Sequence, residues 1–336
     1  MSITAKELAA LLNLSPAAIS MALNNKPGVS TATRRKILET AKAHGYDFTR
    51  IEEKQETHSL NGTIHFLIYK KSGAIVSDTP FFAQLSEGIT EGCKNAGYNL
   101  NINYIYAHED VPRLLNQLHP HSGVILLGTE MTAADYEPFR KLPVPIVVLD
   151  TYFDTIQTDY VLINNTQGAF LAADYLIKRC QCQPGYLRSS YPIGNFDERA
   201  NGFYQAIRQN GMSTSKSIVH SLTPSVEGAY ADMCQLLDQQ ESLARCYFAD
   251  NDAIAAGAMR ALREYGYRIP QDISVIGFDD LPMCNYIDPP LTTIQVSKEY
   301  MGKMAAHRLI ELILDPHAPC TKTQLSTKLL LRKSVI

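Results

Sequence analysis

The residues best suited to a defined chemistry lie in the first fifty positions, where helix-capping side chains and cations are interspersed with small apolar residues. Thr4 is followed three positions later by Glu7, the spacing at which two side chains satisfy each other's unpaired amides at a helix start. Ser15 precedes Pro16, which suits the first helical position because it has no N–H to leave unpaired. Seven Lys or Arg (Lys6, Lys26, Arg34, Arg35, Lys36, Lys42, Arg50) stand against three acids (Glu7, Glu39, Asp47), a net +4; the whole chain carries −3, so the other 286 residues carry −7. A basic head on an acidic body is the asymmetry produced when one small domain meets phosphate and the remainder does not. Four surplus charges alone would also suit a solvated helix face, so the weight falls on the helix pattern.

Elsewhere the chain offers little for covalent chemistry. Seven cysteines (Cys93, Cys180, Cys182, Cys234, Cys246, Cys284, Cys320) form no CxxC pair, and Cys180-Gln181-Cys182 is too tight for usual zinc spacing. Free, reduced thiols are expected, with no metal and no cofactor. There is no GxSxG, no GxxxxGK, no HExxH, and no GxGxxG after the first strand of the body. The acid pair Asp279-Asp280 closes an apolar run, Val275–Phe278, and reads as a binding group at a strand end. No enzyme is expected.

The elements that must position these residues begin with three helices. The first runs over Ile3–Ala10; the second, Pro16–Leu23, turns Ala18, Ile19, Ala22 and Leu23 inward; the turn Asn24–Gly28 ends it. Ser30 caps the third, Thr31–His44, which Gly45 stops. Two short helices joined by a tight turn and braced by a third make a helix-turn-helix, whose second helix presents its N-terminal residues to base edges in a major groove.

From residue 62 strands and helices alternate. Strands are predicted at Thr63–Tyr69, Leu100–Ile105, Gly123–Gly128, Val144–Asp150 and Tyr160–Asn164, with helices near Phe81–Asn95, Asp110–His119, Ala133–Lys141 and Thr166–Arg179. A second series follows: strands near Gly185–Ser189, Ser217–Ser221, Arg245–Ala249 and Ser274–Phe278, and helices near Glu198–Asn210, Glu227–Gln239 and Ala253–Tyr265. The segment Pro289–Ile294 reads as a return crossing, and the helix Lys298–Leu314 rejoins the first lobe. Two doubly wound halves imply two lobes, with a cleft at the carboxyl ends of their strands. A length of 336 residues with 45% hydrophobic and 19% charged residues fits a small head on such a body. With neither a signal-peptide profile nor a membrane-length apolar run, a cytoplasmic protein is expected.

The ordered set Thr4-Ala5-Lys6-Glu7-Leu8-Ala9, Leu14–Asn24, Val29–Arg34 and Ala43-His44-Gly45-Tyr46 resembles the DNA-binding head of the LacI/GalR family of bacterial transcriptional regulators, and the likeness extends over nearly the whole chain. It implies an all-α helix-turn-helix head on an α/β, two-lobed body similar to periplasmic sugar-binding proteins. Domains are expected at 1–47 (head), 48–61 (linker) and 62–336 (effector binding and dimerisation). Within the body, lobe 1 would span 62–160 and 293–318, and lobe 2 would span 161–292 and 319–336. Two departures stand out. Where relatives carry an apolar hinge helix that wedges into the minor groove, this chain has the acidic run Phe48–His58, which reads as a connector. Met21 occupies a position that is usually Arg, and Ala18 one that is commonly Thr, so a guanine-reading contact worth about 1–3 kcal/mol is absent. Pro16, Ala17 and Met21 are the expected base readers; Thr4, Ala18, Ser15, Ser20, Asn24, Ser30 and Thr33 complete the DNA-facing set, mainly through phosphate contact or capping.

Carried over by position, the family pattern makes Arg199 the start of an R-x-x-G-aromatic run and puts Asp279, Asn251 and Asp150 at strand ends. Asp78, Phe81 and Phe82 lie in the loop entering the first body helix. Carboxylates and an amide around a guanidinium suit vicinal hydroxyls or a carboxylate, and a Phe ring can stack on a sugar or base. The resemblance thus implies a homodimeric repressor on a pseudo-palindromic operator of double-stranded DNA, gated by a small effector and without membrane contact. Carbohydrate is the first expectation for the effector; a nucleobase or nucleoside, or a protein co-effector, is the alternative. A solute-binding protein is more remote, because that role would not need residues 1–50.

Overall fold

A computed structural model of the chain describes residues 4–23, 29–44, 46, 61–73, 75–76, 80–107 and 122–336. The expected helix at 110–119, the linker over 48–60, Asn24, Asp78 and the side chain of Ala17 lie outside the described residues. The chain divides into two units, Met1–Asn61 and Gly62–Ile336.

The head contains α1 (Ala5–Leu12), α2 (Pro16–Leu23) and α3 (Thr31–Ala43). At α1 the Thr4 amide donates to Glu7 Oε2 (2.8 Å) and the Glu7 amide to Thr4 Oγ1 (3.3 Å), the reciprocal cap expected from their spacing. Leu8, Ile19 and Ile37, one from each helix, are fully buried together with Ala9, Ala22, Leu23 and Ala41. Such a small core relies on each aliphatic side chain contributing about 1.5–3 kcal/mol on burial.

Among the described residues the body has two six-stranded sheets. The first is ordered β11-β5-β4-β3-β1-β2, from β1 (Thr63–Lys70), β2 (Asn99–Tyr106), β3 (Gly123–Leu127), β4 (Ile146–Leu149), β5 (Asp159–Ile163) and β11 (Lys322–Leu325). The second is ordered β12-β10-β9-β8-β6-β7, from β6 (Gly185–Ser189), β7 (Val219–Leu222), β8 (Cys246–Ala249), β9 (Ser274–Asp279), β10 (Thr292–Gln295) and β12 (Lys328–Leu330). Among the described residues every pairing is parallel except β10 with β12. Central strands such as Gly123–Leu127, Ile146–Leu149 and Cys246–Ala249 are buried at every position, as continuous apolar runs require when helices cover both faces.

The helices of the body are α4 (Pro80–Asn95), α5 (Ala133–Tyr136), α6 (Asn165–Cys180), α7 (Gly194–Gln209), α8 (Val226–Asp238), α9 (Asp252–Glu264) and α10 (Lys298–Leu314). They pack mainly in pairs: α4 with α10, α6 with α7, and α8 with α9. Gly302 lets α10 approach α4 closely, since a Cβ there would lie 2.2 Å from the Leu85 carbonyl oxygen. The helix expected over 133–141 stops at Tyr136, ahead of Pro138, and a 3-10 turn over Phe139–Lys141 continues it.

The chain crosses between sheets three times, near 164, 296–297 and 326–327. Three expected lobe limits are corrected accordingly. The limit at 160/161 cuts through β5, which belongs wholly to the first sheet. Residues 293–295, expected in the first lobe, form β10 beside β9, with Thr293 opposite Gly277. The tail 319–336, expected entirely in the second lobe, divides into β11 beside β5 and β12 beside β10. Short edge strands carry little periodicity, so their partners are set by register rather than by local pattern.

Candidate functional site

A cavity of about 270 Å³ lies where strand ends of the two sheets meet. The first lobe contributes Phe81 and Phe82 from the start of α4, with Thr129 and Asp150 following β3 and β4. The second contributes Asn195, Phe196 and Arg199 from one face of α7, Asn251 at the start of α9, and Asp279 at the end of β9.

Arg199 organises the second wall. Its side chain is buried; Nε donates to Asn165 Oδ1 (2.9 Å), one amino group to the Asp250 carbonyl, and the other to Asp279 Oδ1 (3.2 Å). The guanidinium carbon stands 3.7 Å from the Phe278 ring centroid and 5.5 Å from that of Phe196, so the cation lies within reach of two aromatic faces. Asp279 holds φ at 111°, a backbone conformation that turns the chain sharply at the strand end. Burial pushes its carboxyl above the usual range, and the charges of Arg199 and Lys298 only partly offset this.

Asp150 terminates β4 in the same way, at φ 67°. Its two oxygens accept from Thr129 Oγ1 (2.6 Å) and from Asn195 Nδ2 (3.1 Å), so the second bond joins the lobes. Burial raises this carboxyl to about 6, against those hydrogen bonds and the Arg199 charge. Asn251 caps α9, its Oδ1 accepting from the Ile254 amide (2.8 Å), while the residue also lines the cavity. Phe81 and Phe82 meet edge to face, with centroids 5.1 Å apart; both are largely buried and still border the cavity.

The cavity thus brings together Phe81, Phe82, Asp150, Arg199, Asn251 and Asp279, while Asp78 lies outside the described residues. The sequence reading missed Asn165, Asn195, Phe196, Thr129 and Lys298. A signal existed for two of them: Asn195 and Phe196 precede Arg199 by four and three positions, the spacing that shares a helix face. Asp280, the second acid of the pair read as a binding group, does not line the cavity and accepts from Arg332 (2.7 Å) and Gln295 (3.0 Å).

In the head, the Ala18 amide donates to Ser15 Oγ (3.1 Å) and the Thr33 amide to Ser30 Oγ (3.2 Å). Ser15, Pro16 and Ser20 are exposed on or just before α2, whereas Met21 and Ala18 are half-buried. Among the described residues no three His, Cys, Asp or Glu are arranged to hold a metal ion, and no helix is long and apolar enough to cross a membrane.

Residues 173–335 match a family described as a periplasmic binding protein-like domain. Over 99% of its length the chain is 28% identical to the HTH-type transcriptional repressor PurR of Mannheimia succiniciproducens, covering 98% of that protein. It is 27% identical to the ribose operon repressor of Haemophilus influenzae, with the same coverage of both chains. Among solved structures it is similar to a LacI family transcriptional regulator from Enterococcus faecium with bound ribose: TM-score 0.70, 28% identity, 81% of this chain and 98% of that one. The lac repressor dimer bound to operator shares the fold, with TM-score 0.67 at 20% identity and full coverage of both chains.

The described residues form a three-helix head and a two-lobed, periplasmic-binding-protein-like body with a cavity between its sheets. The chain is thus similar, over nearly its whole length, to transcriptional regulators of the LacI/GalR family. The two curated relatives named above are repressors.

Proposed function

We propose that this protein is a transcriptional repressor that binds a pseudo-palindromic operator as a homodimer and releases or retains it according to a carbohydrate held in the inter-lobe cavity. The observation that carries the ligand reading is the buried Arg199–Asp279 pair on the cavity wall, with Phe81 and Phe82 contributed by the other lobe. A sugar hydroxyl donates and accepts at once, so a guanidinium beside a carboxylate satisfies two neighbouring hydroxyls, while a Phe ring covers the apolar face of the pyranose or furanose. A cavity of about 270 Å³ suits one sugar ring rather than a chain of them. The ribose bound by the Enterococcus faecium relative supports this class of ligand. Dimerisation follows from size: one small head buries too little surface for tight specific binding. The ligand acts only through its unequal affinity for the two arrangements of the lobes.

The test is the melting temperature of the full chain against monosaccharides, sugar phosphates and nucleobases. A ligand at one hundred times its Kd adds about 2.7 kcal/mol, a readily measured shift. The expected result is a monosaccharide response that disappears in Asp279→Asn. The three phenylalanines bordering the cavity favour a planar base as the second reading; a nucleobase response lost in Phe82→Ala would replace the sugar. Failure of the full chain to retain any duplex DNA at low salt would overturn the repressor reading itself.

A further inference from the structure

Three thiols meet at the end of the second lobe remote from the cavity. Cys180 is the last residue of α6, Cys182 follows across Gln181 (φ 55°), and Cys246 opens β8. The sulfurs of Cys182 and Cys246 stand 3.5 Å apart, and Cys180 also hydrogen-bonds with Cys246. Cys246 is fully buried, whereas Cys180 and Cys182 are partly exposed and all three are unbridged. The hydrogen bond with Cys246, helped by the charges of Arg179 and Arg245, brings the Cys180 thiol down to about 6. The bond with Cys246 and the Arg245 charge bring Cys182 down to about 7. Cys246, bonded to both and buried, is held far up. The accessible sulfurs therefore carry thiolate character at neutral pH, and the thiolate is the reactive form.

We propose that Cys182 and Cys246 form a hydroperoxide-responsive dithiol site that closes to a disulfide. The Cys182 thiolate attacks one peroxide oxygen, the O–O bond breaks, and the departing oxyanion takes a proton, leaving Cys182 as a sulfenic acid. The Cys246 sulfur then attacks that sulfur, and its proton leaves with the hydroxyl group as water. The two sulfurs together lose two electrons and the peroxide gains two. Bond formation needs the sulfurs to close from 3.5 Å to about 2.05 Å. The movement falls on Cys182, in the irregular segment between α6 and β6, because Cys246 sits on a strand paired on both sides.

The location gives the bond a consequence. The α6 helix begins at Asn165, which holds Arg199 Nε, and β8 leads to Asp250, whose carbonyl accepts from the same guanidinium. Oxidation would staple the far ends of the two elements that fix Arg199. This inference does not depend on which ligand the cavity takes.

The full chain is reduced, treated with hydrogen peroxide, alkylated at its remaining thiols and digested with trypsin without reduction. The expected result is a fall from seven free thiols to five, with peptides 180–188 and 246–260 joined and fragmentation placing the link on Cys182. Dithiothreitol should reverse it, and the oxidised protein should melt at a higher temperature than the reduced one. The link should persist in Cys180→Ala and vanish in Cys182→Ala. Sulfinic acid at Cys182 without a link, a bond through Cys180 or any other cysteine, or seven intact thiols would each overturn the proposal. Mapping the wild-type protein decides the matter even where a variant fails to fold.

Discussion

The ammonium of Lys298, the first residue of α10 in the first lobe, lies 2.5 Å from the backbone oxygen of Asp279, the last residue of β9 in the second. It also reaches the carbonyls of Asp280 (3.2 Å) and Val296 (3.4 Å), and stands 5.7 Å from the centre of the Phe81 ring. One buried cation thus touches a crossing segment, a strand end of one lobe and a cavity aromatic of the other.

Lys298→Met keeps most of the length and removes the donor. The carbonyls of Asp279 and Asp280 lose a partner in a buried setting, and the Asp279 carboxyl loses one of its two nearby cations. The expected loss is about 1–3 kcal/mol of stability, read by urea denaturation. Ligand affinity should shift as well, because Asp279, whose backbone Lys298 holds, lines the cavity. An unchanged denaturation midpoint would mean that the contact carries no net energy.

Arg199 and Asp279 should behave as a coupled pair. Arg199→Ala leaves the Asp279 carboxylate and Asn165 Oδ1 buried without their donor, a loss of about 3–5 kcal/mol. Asp279→Asn is milder, because asparagine tolerates the positive φ of 111° and its side-chain oxygen can still accept from Arg199. The double variant should therefore be less destabilised than the two single losses added together. A double-mutant cycle measures this difference, and strict additivity would refute the coupling.

The legibility of this site varied with the kind of information each residue depends on. Runs such as Val147-Val148-Leu149-Asp150 announce a buried strand ending in a polar group, so Asp150 and Asp279 were readable as strand-end residues. The capping pair Thr4 and Glu7 was readable because both bonds close within one turn. Lys298 was not, since its partners come from the second lobe and depend on where the chain crosses after Gln295. Asn165 was hidden for a similar reason: it meets Arg199 across 34 positions, through the packing of α6 on α7. The sulfur of Cys182 likewise meets a cysteine 64 residues away, which local spacing could not reveal.

The buried carboxyls give stability an unusual pH dependence. Burial raises Asp150 and Asp250 to about 6 and Asp252 to about 7, above the ordinary aspartate value near 3.8. Between about pH 4 and 7 the folded state therefore binds more protons than the unfolded state, and stability falls as pH rises through that window. Asp135, half-buried and bonded to Lys71 and Thr132, sits at about 2 and acts in the opposite sense: its contribution is present above pH 4 and lost as pH falls toward 2. Melting temperature should peak near the junction of these limbs, at mildly acidic pH. Asp252→Asn should flatten the decline between pH 5 and 7, since Thr293 Oγ1 and the Leu281 amide would then bond a neutral group. A melting temperature that climbs steadily from pH 5 to 7 would contradict this account.

The head offers a test that separates capping from DNA contact. Ser15 and Ser30 already use their hydroxyls at home, accepting from the amides of Ala18 and Thr33. Ser15→Ala should cost the head about 1 kcal/mol through the lost cap. It should leave unchanged the dependence of DNA affinity on salt, because no phosphate partner is removed. A residue that does bind phosphate would lower the slope of log affinity against log salt by about 1 on truncation. Met21, half-exposed on α2, should behave differently from both. Met21→Ala is expected to alter which base is preferred at one position of each half-site, with the salt slope unaffected. Operator selection from a randomised duplex pool, repeated at two salt concentrations, resolves these outcomes. A fall in slope for Ser15→Ala would make that serine a phosphate ligand, and an unaltered base preference for Met21→Ala would move the reading elsewhere on α2.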